Sequence, residues 1–175
     1  DDEKAFTVNV FKFFTTTDVM VGTFYIDHLI PVFKNNEVRN MLVVFASREK
    51  THQQAYALLN DTLGLPESIY SSFHDYKEMK EKADYALEAD SSNIRGLGLA
   101  LAKDMFSEGI SLFASFAMLL NFKRYGKLMG MCKMLDWSLL DESKHLEGIS
   151  WLCRTLVQEH PRIVTDKFKR EIYDM

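Results

Sequence analysis

Two Glu-x-x-His segments constrain this chain more than anything else in it: Glu49-Lys50-Thr51-His52 and Glu142-Ser143-Lys144-His145. Residues three apart share one face of an α-helix, so each pair can present a carboxylate and an imidazole to one ion. Of the five histidines, at 28, 52, 74, 145 and 160, only these two follow a Glu at that spacing. Leu42, Val43, Val44 and Phe45 precede the first pair, and Leu139, Leu140, Leu146 and Ile149 surround the second. An ionised Glu in such a setting is costly unless it is paired or bound to metal. Either pair alone could be an ordinary surface or core pair. Two on separate apolar helices, with one inward carboxylate from each of two further helices, make the ligand set of a dimetal-carboxylate four-helix bundle.

The pattern along the chain agrees with an all-α fold. It predicts long helices over roughly 3–30, 36–63, 93–123 and 127–159, and a polar one over 162–173. The first weakens around Gly22 and ends by Pro31. The second starts at Asn35-Asn36 and stops at Gly64-Leu65-Pro66, Ser91-Ser92-Asn93 opens the third, and Pro161 closes the fourth. Residues 66–90 are more polar and predict shorter helices over the outside. No repeat or low-complexity linker divides the sequence, so 1–175 reads as a single domain, and 47% apolar residues suffice for a sizeable core. Trp137 and Trp151 are expected in that core.

Composition also excludes some functions. A net charge of −4 gives no electrostatic reason to expect nucleic acid or an anionic membrane as partner. Cys132 and Cys153 are too few for a disulfide framework and lack metal-type spacing, so both are expected as reduced core residues. The start, Asp1-Asp2-Glu3-Lys4, is unlike a signal peptide, and charges are expected to interrupt every apolar run before membrane-spanning length. A soluble cytoplasmic protein is the resulting expectation.

The remaining carboxylates come from the other two long helices. Glu108 stands in the otherwise apolar or small run from Met105 to Phe116, with Asp104 next in line. The first helix offers Asp18, with Asp27 as competitor. Four carboxylates and two imidazoles suit iron or manganese, because zinc and copper sites use more nitrogen or sulfur. Four negative charges also offset most of the charge of two high-valent ions, which favours oxygen chemistry over passive holding.

These segments resemble, in order, those of the small, radical-generating subunit of class I ribonucleotide reductase. Phe13-Phe14-Thr15-Thr16-Thr17-Asp18 is similar to that family's Phe-Phe-x-x-x-Asp, and Glu49, His52 and Tyr56 to its Glu-x-x-His-x-x-x-Tyr. Glu108-Gly109-Ile110 with Ser115-Phe116, and Asp141-Glu142-Ser143-Lys144-His145, match its third and fourth segments. The resemblance covers roughly 13–63 and 105–150.

The resemblance implies a ferritin-like bundle with two metal ions per chain: iron at both positions, manganese at both, or one of each. Asp18, Glu49 and His52 would hold one ion and Glu108, Glu142 and His145 the other, with carboxylates bridging. Tyr56 takes the position of the stable tyrosyl radical, and Asp141 that of the acid that hydrogen-bonds a metal-bound His and couples the site to long-range electron transfer. Tyr56 also lies on the metal-facing side by helix geometry, four residues after His52. Leu59, Leu112 and Phe116 are expected to seal it, Leu112 standing where the family often has Phe.

Further implied are a catalytic large subunit that uses the radical to make deoxyribonucleotides, a possible flavoprotein activator, and a two-fold homodimer. Phe11, Phe14, Phe24 and Tyr25 are more apolar surface than one bundle should need, and are expected at that dimer contact. The connection from Tyr56 to Glu108 is short for the family, which implies a compact member or a chain with segments missing. The family's electron-path Trp lies farther before the Asp ligand than this sequence reaches. Its Tyr-bearing tail would follow Met175, with Tyr173 as the nearest match. The rival readings are another ferritin-like dimetal oxidase, which would hold an open substrate cavity at Tyr56, and a ferritin-type metal store.

Overall fold

The computed structural model describes residues 2–69 and 76–175, so His74 and the rest of 70–75 lie outside the described residues. Helix α1 (Asp2–Phe24) runs into a π-helical turn at Tyr25–Leu29, and α2 (Asn36–Thr62) follows. After the short α3 (Lys77–Leu87), α4 (Ile94–Phe106) passes through a second π turn, Ser107–Ser111, into α5 (Leu112–Leu120). A 3-10 turn at Asn121–Tyr125 leads to α6 (Met129–Glu159), and α7 (Asp166–Tyr173) closes the chain. No strand occurs among the described residues.

Local chemistry sets the helix starts. The Asn35 side chain accepts from Val38 N at 3.0 Å, and Asn93 from Gly96 N at 2.8 Å. Each satisfies a backbone donor that the first helical turn leaves open. The last helix begins later than the sequence suggests. Pro161–Ile163 form a 3-10 turn, and Thr165 Oγ1 then caps α7 by accepting from Phe168 N at 3.1 Å.

The core divides into two apolar clusters. One gathers Val10, Phe11, Phe13 and Phe14 of α1, Tyr56 of α2, Leu112, Phe116 and Leu119 of α5, and Met131, Cys132 and Leu135 of α6. The other gathers Val21, Phe24, Tyr25 and Leu29, then Leu42 and Phe45, Leu97, Ala100 and Leu101, and Ile149, Leu152 and Leu156. Read by residue number, α1 and α6 run from the first cluster to the second, while α2 and α4–α5 run back. The α2–α4 link must therefore return along the bundle, and α3 on that link packs against α1. In every long helix the stretch between the two clusters carries acids or histidines.

Two glycines mark close helix approaches. Helix α1 runs unbroken through Gly22, where the sequence suggested weakening; a Cβ there would lie 3.3 Å from Glu49 Cβ. A Cβ at Gly148 would meet the Phe45 ring at 2.7 Å, so α6 and α2 pack with almost no gap.

Several surface expectations are corrected. Trp137 and Trp151 are 59% and 51% exposed, on the outward face of α6. Phe11, Phe14, Phe24 and Tyr25 are not spare surface at all: each is buried inside its own bundle. The exposed apolar side chains include Val43 and Val44 of α2 and Leu140 of α6. One helical stretch, Ile94–Tyr125, is long and apolar enough to cross a membrane by length and composition, contrary to expectation. Within 105–122 only Glu108 is charged. Leu97, Leu101, Leu112, Phe116 and Leu119 of this stretch are buried in the bundle, while Phe106, Ile110 and Met118 are exposed.

Gly148→Ala tests the α2–α6 approach. Alanine favours a helix over glycine by about 1 kcal/mol, but overpacking against the buried Phe45 ring costs about 1–3 kcal/mol. We expect a net loss of stability in urea unfolding, and a gain would mean that the ring yields freely.

Candidate metal centre

The polar layer between the two clusters contains Asp18 of α1, Glu49 and His52 of α2, Glu108 of the second π turn, and Glu142 and His145 of α6. All six are at most 4% exposed. Helical spacing puts them there: Asp18 follows Phe14 by four residues, Glu49 follows Phe45 by four, and His145 precedes Ile149 by four, so each continues the buried face of its helix. The competitor Asp27 is exposed.

Two groups of donor atoms form, with all atoms of a group within 4.8 Å of one another. One is Asp18, Glu49 and His52; the other is Glu49, Glu108, Glu142 and His145. Glu49 belongs to both. Its Oε2 lies 3.6 Å from His52 Nδ1 and its Oε1 3.0 Å from His145 Nδ1. Glu142 does the same, with Oε1 3.1 Å from His52 Nδ1 and Oε2 3.1 Å from His145 Nδ1. These two carboxylates therefore face both imidazoles.

The donor atoms face one another without being consumed by hydrogen bonds. Asp18 Oδ2, both Glu49 oxygens, Glu108 Oε2, Glu142 Oε2 and the Nδ1 atoms of His52 and His145 are buried with no hydrogen-bond partner. Buried polar atoms left in this state are costly, and so many converging on one point fit a pair of cations. The hard oxygens and neutral imidazoles suit iron or manganese.

Electrostatics records the same crowding. Burial, then Glu49 and Glu142, raise the Asp18 carboxyl well above its ordinary range. Burial and Glu142 push Glu108 up to about 8. Burial alone would pull both imidazoles down, but neighbouring carboxylates push His52 up to about 11 and His145 up to about 12. Glu142 is held below its usual value despite burial, because both imidazoles face it. Without metal, the imidazoles serve as the cations of the layer.

Around this set, Asp141 Oδ2 lies 3.2 Å from His52 Nε2, leaving Nδ1 for the centre. Arg48 Nε approaches the other Asp141 oxygen at 3.8 Å. Tyr56 is 1% exposed and stacks on Phe14, with ring centroids 5.1 Å apart and planes at 17°. Phe14 in turn packs on Phe116 at 4.8 Å. Leu112 shares this cluster and Leu59 packs against it, so the place where an oxidase would need an open cavity is filled. Burial, then Asp18, raise the Tyr56 phenol well above its ordinary value, while the Ser138 hydroxyl acts in the opposite sense.

Four neighbours escaped the sequence reading. Phe14 stood in the quoted motif, yet its stacking partner was not foreseen. Ser138 sits four residues before Glu142, a spacing that could have flagged it. Arg48 precedes Glu49 directly and showed no signal. The Tyr25 hydroxyl donates to Glu108 Oε1 at 2.6 Å across 83 positions of sequence, a distance that no local spacing reveals.

Comparison with known proteins places this architecture. A family described as the small chain of ribonucleotide reductase matches residues 1–175. A protein of Invertebrate iridescent virus 6 bearing the name of a ribonucleoside-diphosphate reductase small subunit is 40% identical over 91% of this chain and 49% of its own length. The ribonucleoside-diphosphate reductase subunit beta of Chlamydia pneumoniae is 25% identical over 98% of this chain and 54% of its own. This chain thus spans about half the length of the curated relatives it matches. A Bacillus halodurans structure assigned to class I ribonucleotide reductase superposes with a TM-score of 0.86 at 16% identity, covering 95% of this chain and 62% of that one. The fold is therefore the ferritin-like all-α bundle.

The raised pKa values give a pH test. Glu108, His52 and His145 all bind protons more tightly folded than unfolded. A group raised on folding stabilises fully below its unfolded pKa, and that contribution is lost as pH rises through the folded value. The melting temperature of metal-free protein should therefore fall from about pH 5 to about pH 8. A divalent ion competes with those protons, so the stabilisation given by saturating Mn2+ should grow over the same interval. Thermal melts with and without Mn2+ measure both, and an increment that shrinks with pH would contradict the assignment.

Proposed function

Because the chain belongs to the ribonucleotide reductase small-chain family, we propose that its buried carboxylate–imidazole layer holds two metal ions and that Tyr56 stores the oxidising equivalent they generate. The ligands are Asp18, Glu49 and His52 at one position and Glu108, Glu142 and His145 at the other, with Glu49 and Glu142 shared. Bound there, redox-active ions supply the activation of dioxygen. We assign iron to both positions; a manganese pair or a mixed pair would use the same ligands, and metal analysis of protein from its native host distinguishes them.

Everything else is the work of the chain. His52 and His145 offer Nδ1, and Asp141 accepts from His52 Nε2, which fixes that ring's orientation and raises its basicity. In its storing role Tyr56 would give up one electron and one proton to the oxidised centre, and Asp18 is the carboxylate whose charge acts most on its hydroxyl. Phe14, Leu112 and Phe116 then keep water and reductants from the oxidised ring. A catalytic large subunit draws on this equivalent to reduce ribonucleotides to deoxyribonucleotides, and a flavoprotein activator serves where the metals demand one. The exposed apolar side chains of α2 and α6 support a two-fold homodimer, which sedimentation at micromolar concentration tests.

The observation that carries this reading is a fully buried phenol one helical turn beyond His52, sealed by aromatic packing on the metal-facing side of α2. Tyr56→Phe keeps the ring and its stacking and removes only the hydroxyl. Folding and two-metal loading should be unchanged, while the tyrosyl electron paramagnetic resonance signal of iron-loaded protein in air should disappear. Nucleotide reduction with the large subunit should disappear with it. Full reductase activity in the variant would move the stored equivalent from Tyr56 to the metals.

A further inference from the structure

The two halves of the centre are not equivalent. Asp18 Oδ2, both Glu49 oxygens, Glu108 Oε2 and Glu142 Oε2 have no hydrogen-bond partner, while the second Glu108 oxygen, Oε1, accepts from the Tyr25 hydroxyl at 2.6 Å in the half beside His145. Both residues of that contact are 0% exposed. The Tyr25 ring is itself held: it packs 5.9 Å from Phe45 and stands edge-on to His145, with centroids 6.1 Å apart and planes at 85°. Glu108 keeps Oε2 free of any partner, 3.5 Å from His145 Nδ1. Both partners of the contact come from π-helical turns, Tyr25–Leu29 and Ser107–Ser111.

A glutamate has a soft terminal torsion, so an unrestrained Glu108 could turn to offer both oxygens or swing away from the ion. A phenol fixed by its own ring contacts removes that freedom and withdraws charge from the oxygen it binds. We propose that Tyr25 is a positioning residue for the half of the centre beside His145. It ties back Glu108 Oε1 so that Oε2 alone faces the ion, and it makes the two ion positions differ in affinity and coordination.

This inference rests on the dimetal reading, and the experiment separates the two. Mn2+ titration of the full chain, followed by the resonance of unbound Mn2+, gives the number of ions and both binding constants. In Tyr25→Phe we expect two ions still, with one constant weakened about tenfold or more and the other within about twofold of wild type. The visible absorption of the Co2+-loaded protein should change for the weakened half alone. Replacing Tyr25 by 4-fluorophenylalanine fills the hydroxyl's space without a donor, and should give the same split. It also decides the question if the Phe variant does not fold. Constants unchanged in the variants, both weakened together, or affinity restored by the fluorinated ring would each overturn the proposal while leaving the dimetal reading intact. A wild-type chain that takes up no second ion would overturn both.

Discussion

Charge balance in a layer one or two side chains thick governs this molecule. Asp104, Glu108, Asp18, Glu49 and Glu142 are all buried, and His52 and His145 are the imidazoles beside them. Five acids against two bases cannot be neutral while all the acids are ionised. Without metal the layer resolves the conflict by keeping protons: the carboxyls of Asp18, Asp104 and Glu108 are raised and both imidazoles remain cationic. Two divalent ions bound as proposed would replace those protons and satisfy the orphaned oxygens at once. The apolar clusters on either side make the conflict tolerable, since their packing joins the helices above and below the layer.

The layer reaches the outside at Asp141. Asp141 joins His52 to Arg48, and the Asp141 and Arg48 side chains are 31% and 54% exposed, so this chain of contacts runs from the centre to solvent in two steps. Tyr56 has no such opening. It sits in one apolar cluster and Tyr25 in the other, on opposite sides of the layer, and their hydroxyls meet different partners. Ser138 is the polar neighbour of the Tyr56 hydroxyl, and the Tyr25 hydroxyl donates to Glu108 Oε1 at 2.6 Å.

Much of this was legible in the sequence, because helical spacing is a local rule. Glu49 with His52, and Glu142 with His145, lie where their spacing puts them. The helices begin where Asn35 and Asn93 offer capping oxygens. Other features depend on which way a helix turns in three dimensions, and residue type does not report that. Trp137 and Trp151 are large and apolar yet face outward, because the buried stripe of α6 runs through Leu135, Ser138, Glu142, His145 and Ile149 instead. Helical spacing alone leaves Asp27 as a competitor to Asp18, and packing buries Asp18 and exposes Asp27. Gly22 looked like a weak point because glycine is a poor helix former, whereas here its missing side chain lets Glu49 come close. The Tyr25–Glu108 contact joins two distant helices and could come only from coordinates.

The π turn at Ser107–Ser111 has a consequence for how the chain could change over time. Such a turn behaves as a one-residue insertion into an α-helix, and it rotates everything beyond it by about 100°. Helix α4 is thereby phased for the cluster around Leu97 and Leu101, and α5 for the cluster around Tyr56, with Glu108 at the joint between them. The two ends of one long rod can thus drift in sequence under separate packing demands. A single-residue deletion within 107–111 would restore an ordinary helix, but it would turn Leu112 and Phe116 away from Tyr56 while leaving Asp104 in place. The register of the packing around Tyr56 hangs on one surplus residue.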